Sequence, residues 1–284
     1  MLIDNVIDFC DHEYRNHECG SCQKEHLCNH DCKKCLDDLH YHYNKIRADY
    51  SCEHLLDYYE CRYAHKYCSE MIYALNNVDL SKYPKLNILS LGCGGAPDLM
   101  AFDYINPGPK ISYKGVDINT SWEKIHNYIE ANFTNGTAKF FRNIDVLDFL
   151  NNNSISGCNV ICIEYLISFF YNRVGSAGVR RWFGQLAEQI VSYKPSGSPM
   201  LIIINDVDSI NTGRDTFPFI REEIEKLGIE VINEYRCRFK SHNYYKGSAR
   251  YLSQANIFSI PEEFKDRYKV AIRCESAQLI LEVR

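Results

Sequence analysis

The residues most able to do chemistry fall into two clusters of different character. The first is a glycine turn, Leu91-Gly92-Cys93-Gly94-Gly95-Ala96-Pro97-Asp98, which follows the apolar run 86–91, LNILSL. Glycines let the backbone turn sharply and approach a ligand closely, and a helix starting at the turn would aim its amides at that ligand. Three acids stand at the ends of successive apolar runs. Asp117 closes 111–117 (ISYKGVD), 25 residues after Gly92, Asp145 follows 139–144 (KFFRNI), and Glu164 follows 159–163 (NVICI). An acid after the second strand of such a series suits hydrogen bonding to ribose hydroxyls. Taken singly, Asp117 could cap a helix and Asp145 could serve a turn. Three acids at successive strand ends favour the ligand reading. A full dinucleotide fingerprint needs glycine at position 97, where Pro97 stands, and no lysine follows as a P-loop requires. A nicotinamide oxidoreductase is therefore the weaker rival.

The second cluster is rich in sulfur. Nine of the 14 cysteines lie in the first 68 residues, and eight of the ten histidines lie in the first 65. Cys19-x2-Cys22 and Cys32-x2-Cys35 are separated by nine residues, with Cys28 between them. Two such knuckles can supply four thiolates to a tetrahedral zinc ion, so Cys19, Cys22, Cys28, Cys32 and Cys35 are the expected ligands. His40 and Cys52 are alternative donors, and with His26, His30, His42 and Cys61 also at hand a second ion is possible. Four protein ligands leave no open position, so the site reads as structural. Cys61 and Cys68 read as core residues of a helix. A disulfide scaffold is disfavoured because the start, MLIDNVIDFCDHEYRN, has acids where a secretion signal needs basic residues followed by a long apolar run.

These clusters must be positioned by a packed core. The 284 residues are 45% hydrophobic and 24% charged, with a formal net charge of −5. That composition excludes global disorder and gives no general attraction to nucleic acid or anionic lipid. No apolar run approaches the ~18–20 residues of a membrane span, and a cytoplasmic protein is expected. The composition shifts near Ser81. Residues 1–80 hold eight basic against 15 acidic side chains, and the remainder 24 against 22. Two regions are expected, a Cys-rich, zinc-binding and helical one over 1–80 and a second over 81–284.

In the first region, 52–75 predicts a helix, with Leu55, Tyr59, Arg62, Tyr63, Lys66, Tyr67, Glu70 and Tyr73 at three- and four-residue spacing. It reads as a docking helix, with a lid over the ligand as the alternative. After Pro84, strands at 86–91, 111–117, 139–144, 159–163 and 200–204 alternate with helices near 96–104, 121–133 and 176–193. A helix at 218–227 and strands at 229–239 and 275–283 complete the pattern. Such alternation predicts an α/β, doubly wound, mostly parallel sheet of seven strands. Right-handed crossovers put the loops after the strands on one edge, where open α/β sheets bind ligands.

Five segments in order, ILSLGCGGAPDLMAF, YKGVDINTSW, FFRNIDVLDFL, NVICIEYLISFF and YKPSGSPMLIII, resemble the motif series of class I S-adenosylmethionine-dependent methyltransferases over roughly 86–240. The resemblance implies a Rossmann-like fold with an antiparallel hairpin at the sheet's end, which suits 229–239 and 275–283. It implies that Gly92, Cys93 and Gly94 face the methionine portion of S-adenosylmethionine, and that Asp117 accepts from the ribose. Ile118 and Trp122 then lie near the adenine, and Asp145 with the Val146 backbone reads its amino group. Glu164 and Tyr165 border the sulfonium and the acceptor. The chain departs from the pattern at Ser90, where the family often has an acid, and at Ala96-Pro97, where Pro-Gly is common.

Methyl transfer is an in-line displacement on an activated carbon. It needs positioning above all, and a base only when the acceptor must lose a proton. Candidate acceptor-side groups are Glu164, Tyr165 and Asp206, the last within Asn205-Asp206-Val207-Asp208. That tetrapeptide is not the Asn/Asp-Pro-Pro-aromatic signature of amino-group methylation on bases. The one basic stretch, 236–250 (RCRFKSHNYYKGSAR), interleaves cations with Phe239, Tyr244 and Tyr245 and could contact an RNA or DNA strand. A solvated loop is the equal alternative. Nucleic acid is narrowly the expected acceptor, with a protein side chain or a small molecule next. A non-catalytic S-adenosylmethionine-binding module with a zinc interaction surface is the rival from another class.

Overall fold

The run LNILSL forms β1 (Leu86–Leu91), whose side chains alternate between two apolar layers, Leu86 and Ile88 on one side and Leu89 and Leu91 on the other. A strand buried on both faces belongs at the centre of a doubly covered sheet. The computed structural model places it there and describes residues 1–17, 19, 30–41, 50–105, 108–152, 155–194, 197–209, 213–239 and 249–284. β1 is flanked in parallel by β2 (Ile111–Asp117) and β4 (Val160–Glu164). β3 (Gly136–Arg142) lies outside β2, and β5 (Met200–Val207) outside β4, both in parallel. β8 (Ser276–Val283) pairs antiparallel with β5 and with β6 (Val231–Arg238), giving the hairpin expected at the sheet's end.

The sheet order is β3-β2-β1-β4-β5-β8-β6-β7, with eight strands rather than the seven expected. The additional β7 is only Ala249–Arg250, parallel to β6 at the sheet edge. Two residues are too few to carry an alternating pattern, so the sequence does not announce it.

One face is covered by α1 (Leu2–Asn16), α3 (Glu53–Leu75), α4 (Pro97–Ile105) and α5 (Glu123–Asn132), with α2 (Cys32–Tyr41) adding Leu36 to the same core. The other face is covered by α6 (Val146–Asn152), α7 (Ile167–Tyr193) and α8 (Pro218–Lys226). A short α9 (Glu262–Tyr268) closes against α3. Residues from both sides of the composition change at 81 share the first core: Ile3, Val6, Leu56, Cys61 and Met71 pack with Leu99, Phe102, Ile125 and Ile203.

The helix read at 52–75 is α3, and its residues from Leu55 to Leu75 are buried almost throughout. α1 escapes the periodicity reading, although Leu2, Ile3, Val6, Ile7 and Cys10 form a buried stripe. α7 starts nine residues before the expected 176, because Gly175, at φ +68, joins two helical pieces across a kink. No helix among the described residues is long and apolar enough to cross a membrane.

Candidate active site

The glycine turn is held open by its own backbone. Gly92 and Gly94 take φ of +68 and +49, and Ala96 takes +62. The amides of Gly92 and Cys93 both donate to the Val116 carbonyl, at 2.8 and 3.1 Å, which locks the turn to the end of β2. Gly92 is also a place of close approach, because a Cβ there would stand 2.7 Å from the Leu166 side chain.

Asp117 fixes the far side of the turn. Its Oδ2 accepts from the Gly94 amide at 2.9 Å and its Oδ1 from the Asn119 amide at 2.8 Å. Burial pushes its pKa up, while these two amides oppose the shift. A carboxylate has about four lone-pair sites, so two remain for further donors. Trp122 stands over Gly94, Ile118 is 55% exposed at the strand end, and Cys93 is buried. The structure thus gathers Gly92, Cys93, Gly94, Asp117, Ile118 and Trp122 at one strand edge. Asp145 and Val146 sit one strand further out, where Asp145 accepts from the Leu147 amide at 2.8 Å as α6 begins.

Sequence reasoning missed a residue at this turn. His126, on α5, is wholly buried, stacks on Phe140 with centroids 3.9 Å apart, and places Nε2 2.7 Å from the Gly94 carbonyl. Burial pulls its pKa down to about 4, so near neutral pH the uncharged ring donates to that carbonyl. Its place on α5, one turn after Trp122, was the available signal.

At the end of β4, Glu164 accepts from Asn205 Nδ2 at 2.7 Å through Oε1, while its buried Oε2 has no hydrogen-bond partner among the described residues. Burial, with the Asp98 and Glu70 charges nearby, raises its pKa well above the ordinary carboxylate value. Tyr165 adopts φ +52, and its hydroxyl donates to Glu70 at 2.8 Å. Its ring lies 4.4 Å from that of Tyr67, and the Lys66 ammonium stands 5.2 Å from it.

Glu70, on α3, ties this corner together. It accepts from Tyr165, from Asn205 Nδ2 at 3.2 Å, and from the Glu275 and Ser276 amides at 2.7 and 3.3 Å. Gln278 bridges the Glu70 carbonyl and Asn205. The helix therefore lies across the ends of β4, β5 and β8, bonded to each. Asp206 has a different setting. Its oxygens accept from the amides of Ile167, Ser168 and Val207, at 2.7, 3.1 and 2.7 Å, so it anchors the start of α7. Burial raises its pKa to about 6 against the pull of those amides.

The cysteine cluster is drawn from separate segments. Cys19, Cys32 at the start of α2 and His54 at the start of α3 bring their ligand atoms within 4.8 Å of one another. The His54 Nδ1 is buried with no hydrogen-bond partner among the described residues, and its ring stacks on Tyr14 at 4.3 Å. Cys35 and Cys52 lie near enough to Cys32 to raise its pKa, after burial and Cys19. Soft sulfur with imidazole suits zinc. Cys22, Cys28 and the His40 side chain lie outside the described residues. His54 was not among the expected donors, since it sits within the helix pattern of 52–75.

The basic stretch 236–250 is described at 236–239 and 249–250. Arg238 is buried and donates to Asp208 at 2.7 Å, and Arg236 pairs with Glu234. Phe239 is fully buried against Tyr73 and Tyr251. Tyr244 and Tyr245 lie outside the described residues.

No family model matches the sequence, and no curated protein matches it. Among solved structures the chain is similar to a SAM-dependent methyltransferase from Archaeoglobus fulgidus, at 17% identity and a TM-score of 0.43, over 74% of this chain and 92% of that one. It is also similar to the plantazolicin methyltransferase BpumL in complex with SAH, at 16% identity and a TM-score of 0.41, over 80% and 88% of the two chains. A third similarity is to WbdD, at 14% identity and a TM-score of 0.43, where the match covers 76% of this chain and 41% of that one. Likeness of this degree carries no argument about activity, which has to come from the site itself.

Proposed function

We propose that the protein is an S-adenosylmethionine-dependent methyltransferase with a structural zinc ion in its N-terminal region. One observation carries the first part. The glycine turn after β1 is bonded through Gly94 to an acid at the end of β2, in a sheet whose order includes β3-β2-β1-β4-β5, with a carboxylate oxygen at the end of β4 that has no partner among the described residues. The residues fit the cofactor. Asp117 keeps lone pairs for the ribose, Ile118 is an exposed apolar surface for the adenine, and positive φ keeps Gly92 and Gly94 free of side chains. When bound, the cofactor supplies an activated methyl group.

The chain's own contribution is positioning and proton handling. His126 and Asp117 hold Gly94 from its carbonyl and amide sides, so the turn is ordered before a ligand arrives. Glu164 Oε2, without a hydrogen-bond partner among the described residues, is the group assigned to take a proton from an acceptor, and because burial raises its pKa it acts as a base only from its deprotonated form. Tyr67 and Tyr165 wall the site, and α3 lies across the strand ends. This enclosure favours a small or peptidic acceptor. The nucleic-acid reading loses two of its groups, because Arg238 and Phe239 are committed to the interior.

Calorimetry with S-adenosylmethionine tests the assignment. Binding is expected, and Asp117→Ala should weaken it at least 100-fold, since it loses the ribose partner and unties Gly94. A methyl-release assay separates an enzyme from a cofactor sensor. Labelled cofactor in cell extract, with ribonuclease and protease arms, identifies a macromolecular acceptor. Metal analysis should find about one zinc per chain. Cys32→Ser with His54→Ala should remove the zinc and lower the melting temperature; a metal-free, folded wild-type protein refutes the zinc reading.

A further inference from the structure

One side chain at the glycine turn is used by nothing described above. Glu60, in the middle of α3, is 2% exposed, and its Oε2 is buried with no hydrogen-bond partner among the described residues. Its carboxylate lies directly against the turn. A Cβ built on Gly95 would fall 1.8 Å from Oε1 and 2.7 Å from Oε2, so only glycine at 95 lets the acid lie there. The charged neighbour that perturbs it is another acid, Asp57, one turn back on the helix. Asp57 has a cation of its own in Lys124, at 2.7 Å.

A buried carboxylate beside a like charge costs several kcal/mol unless a cation arrives or the group takes a proton. Selection for stability alone would have removed it. Two structural roles are open to it. It could cap α4, but the free first-turn amides, those of Asp98 and Leu99, serve the Asp98 carboxylate, and Glu60 Oε2 receives no donor among the described residues. It could pair with Lys124, but that ammonium is bonded to Asp57 and lies 3.4 Å from Glu13. Among the described residues nothing donates to Oε2, and a donor from outside the chain would fill that place.

We propose that Glu60 receives the ammonium of the cofactor's amino-acid end at the glycine turn, so that the N-terminal region completes the cofactor site. This rests on the methyltransferase reading. The strand itself offers no acid here, since Ser90 occupies its penultimate position. An ammonium brings three donors and a full positive charge, which is what a buried carboxylate without a partner requires. The consequence is that the front 80 residues are no appendage. They supply a cofactor contact from a helix that the zinc cluster anchors at its first turn.

The test compares two ligands that share the thioether nucleoside. S-adenosylhomocysteine carries the amino-acid end, and 5′-methylthioadenosine lacks it. Wild-type protein should bind the first more tightly. Glu60→Gln should weaken S-adenosylhomocysteine at least tenfold and leave 5′-methylthioadenosine within twofold. Gly95→Ala, which displaces the carboxylate, should reproduce that selective loss, and circular dichroism establishes that both variants are folded. If Glu60→Gln keeps its affinity for S-adenosylhomocysteine, or loses both ligands equally, the proposal is overturned. If wild-type protein binds both equally, it is overturned as well. If wild-type protein binds neither, the methyltransferase reading fails and this inference falls with it.

Discussion

Two sets of buried acids face the same edge of the sheet, and they are treated in opposite ways. Asp117 and Asp206 accept from backbone amides with both oxygens. Asp117 holds two amides at the glycine turn, and Asp206 holds three at the start of α7. Glu60 and Glu164 each bury an oxygen with no partner among the described residues. The first pair orders loops, and Asp117, with two of its about four lone-pair sites taken, keeps the other two for the proposed ribose contact. The second pair costs stability in the free protein, as the proposed ligand contacts would require. The longer glutamate side chain suits that task, because it reaches past the backbone that an aspartate at a strand end bonds to.

Substitutions should break this comparison cleanly if it is wrong. The largest effect is expected at Glu164. Glu164→Gln should lower turnover by about 10²–10⁴-fold in a methyl-release assay while cofactor affinity changes little. An unchanged kcat would place Glu164 with the structural acids. Glu60 should show the reverse of a structural residue in a melting experiment without ligand. Its pKa is pushed from an ordinary 4.5 to about 8 by burial first and Asp57 second. Between those values the folded protein holds a proton that the unfolded chain has released, so stability falls as pH rises from 4.5 to 8. Asp57, Lys124, Cys10 and Cys61 share this corner. Glu60→Gln has no such proton to lose, and should exceed wild type by a few kcal/mol, on the order of 2–4, at pH 8, with the gap closing toward pH 5. A destabilised Glu60→Gln would sink the distinction. Asp206→Ala sharpens it from the other side. Loss of the anchor at the α7 start should cost about 1–3 kcal/mol in denaturant unfolding and leave cofactor affinity nearly intact.

The positions of the strands along the chain and the place of the glycine turn were legible because parallel strands buried on both faces read as apolar runs, and turns read as glycine. Leu86–Leu91, Ile111–Asp117, Val160–Glu164 and Met200–Val207 all lie where those runs put them, within a few residues. β3 was read three residues late, because Gly136-Thr-Ala precedes its aromatic part and resembles a turn. α1 and α6 were not read, since α1 mixes its apolar stripe with acids and histidines and α6 has only seven residues. The candidate site could be read in the sequence where the chain is continuous, as at Gly92–Gly94 and Asp117. It was not legible where α3 meets it.

The sequence by itself determined the alternation of strands and helices, the glycine turn, the acids that follow the strands, and the excess of thiols in the first region. Those properties are local, set by side-chain period and backbone freedom. Only the tertiary structure decided that Glu60 lies on Gly95, that Glu70 bonds three strand ends, that His126 holds Gly94, and that His54 joins Cys19 and Cys32. Each of these pairs residues from different elements, up to 208 positions apart for Glu70 and Gln278. Such contacts are fixed by how the helices pack on the sheet, and no spacing along the chain encodes that packing.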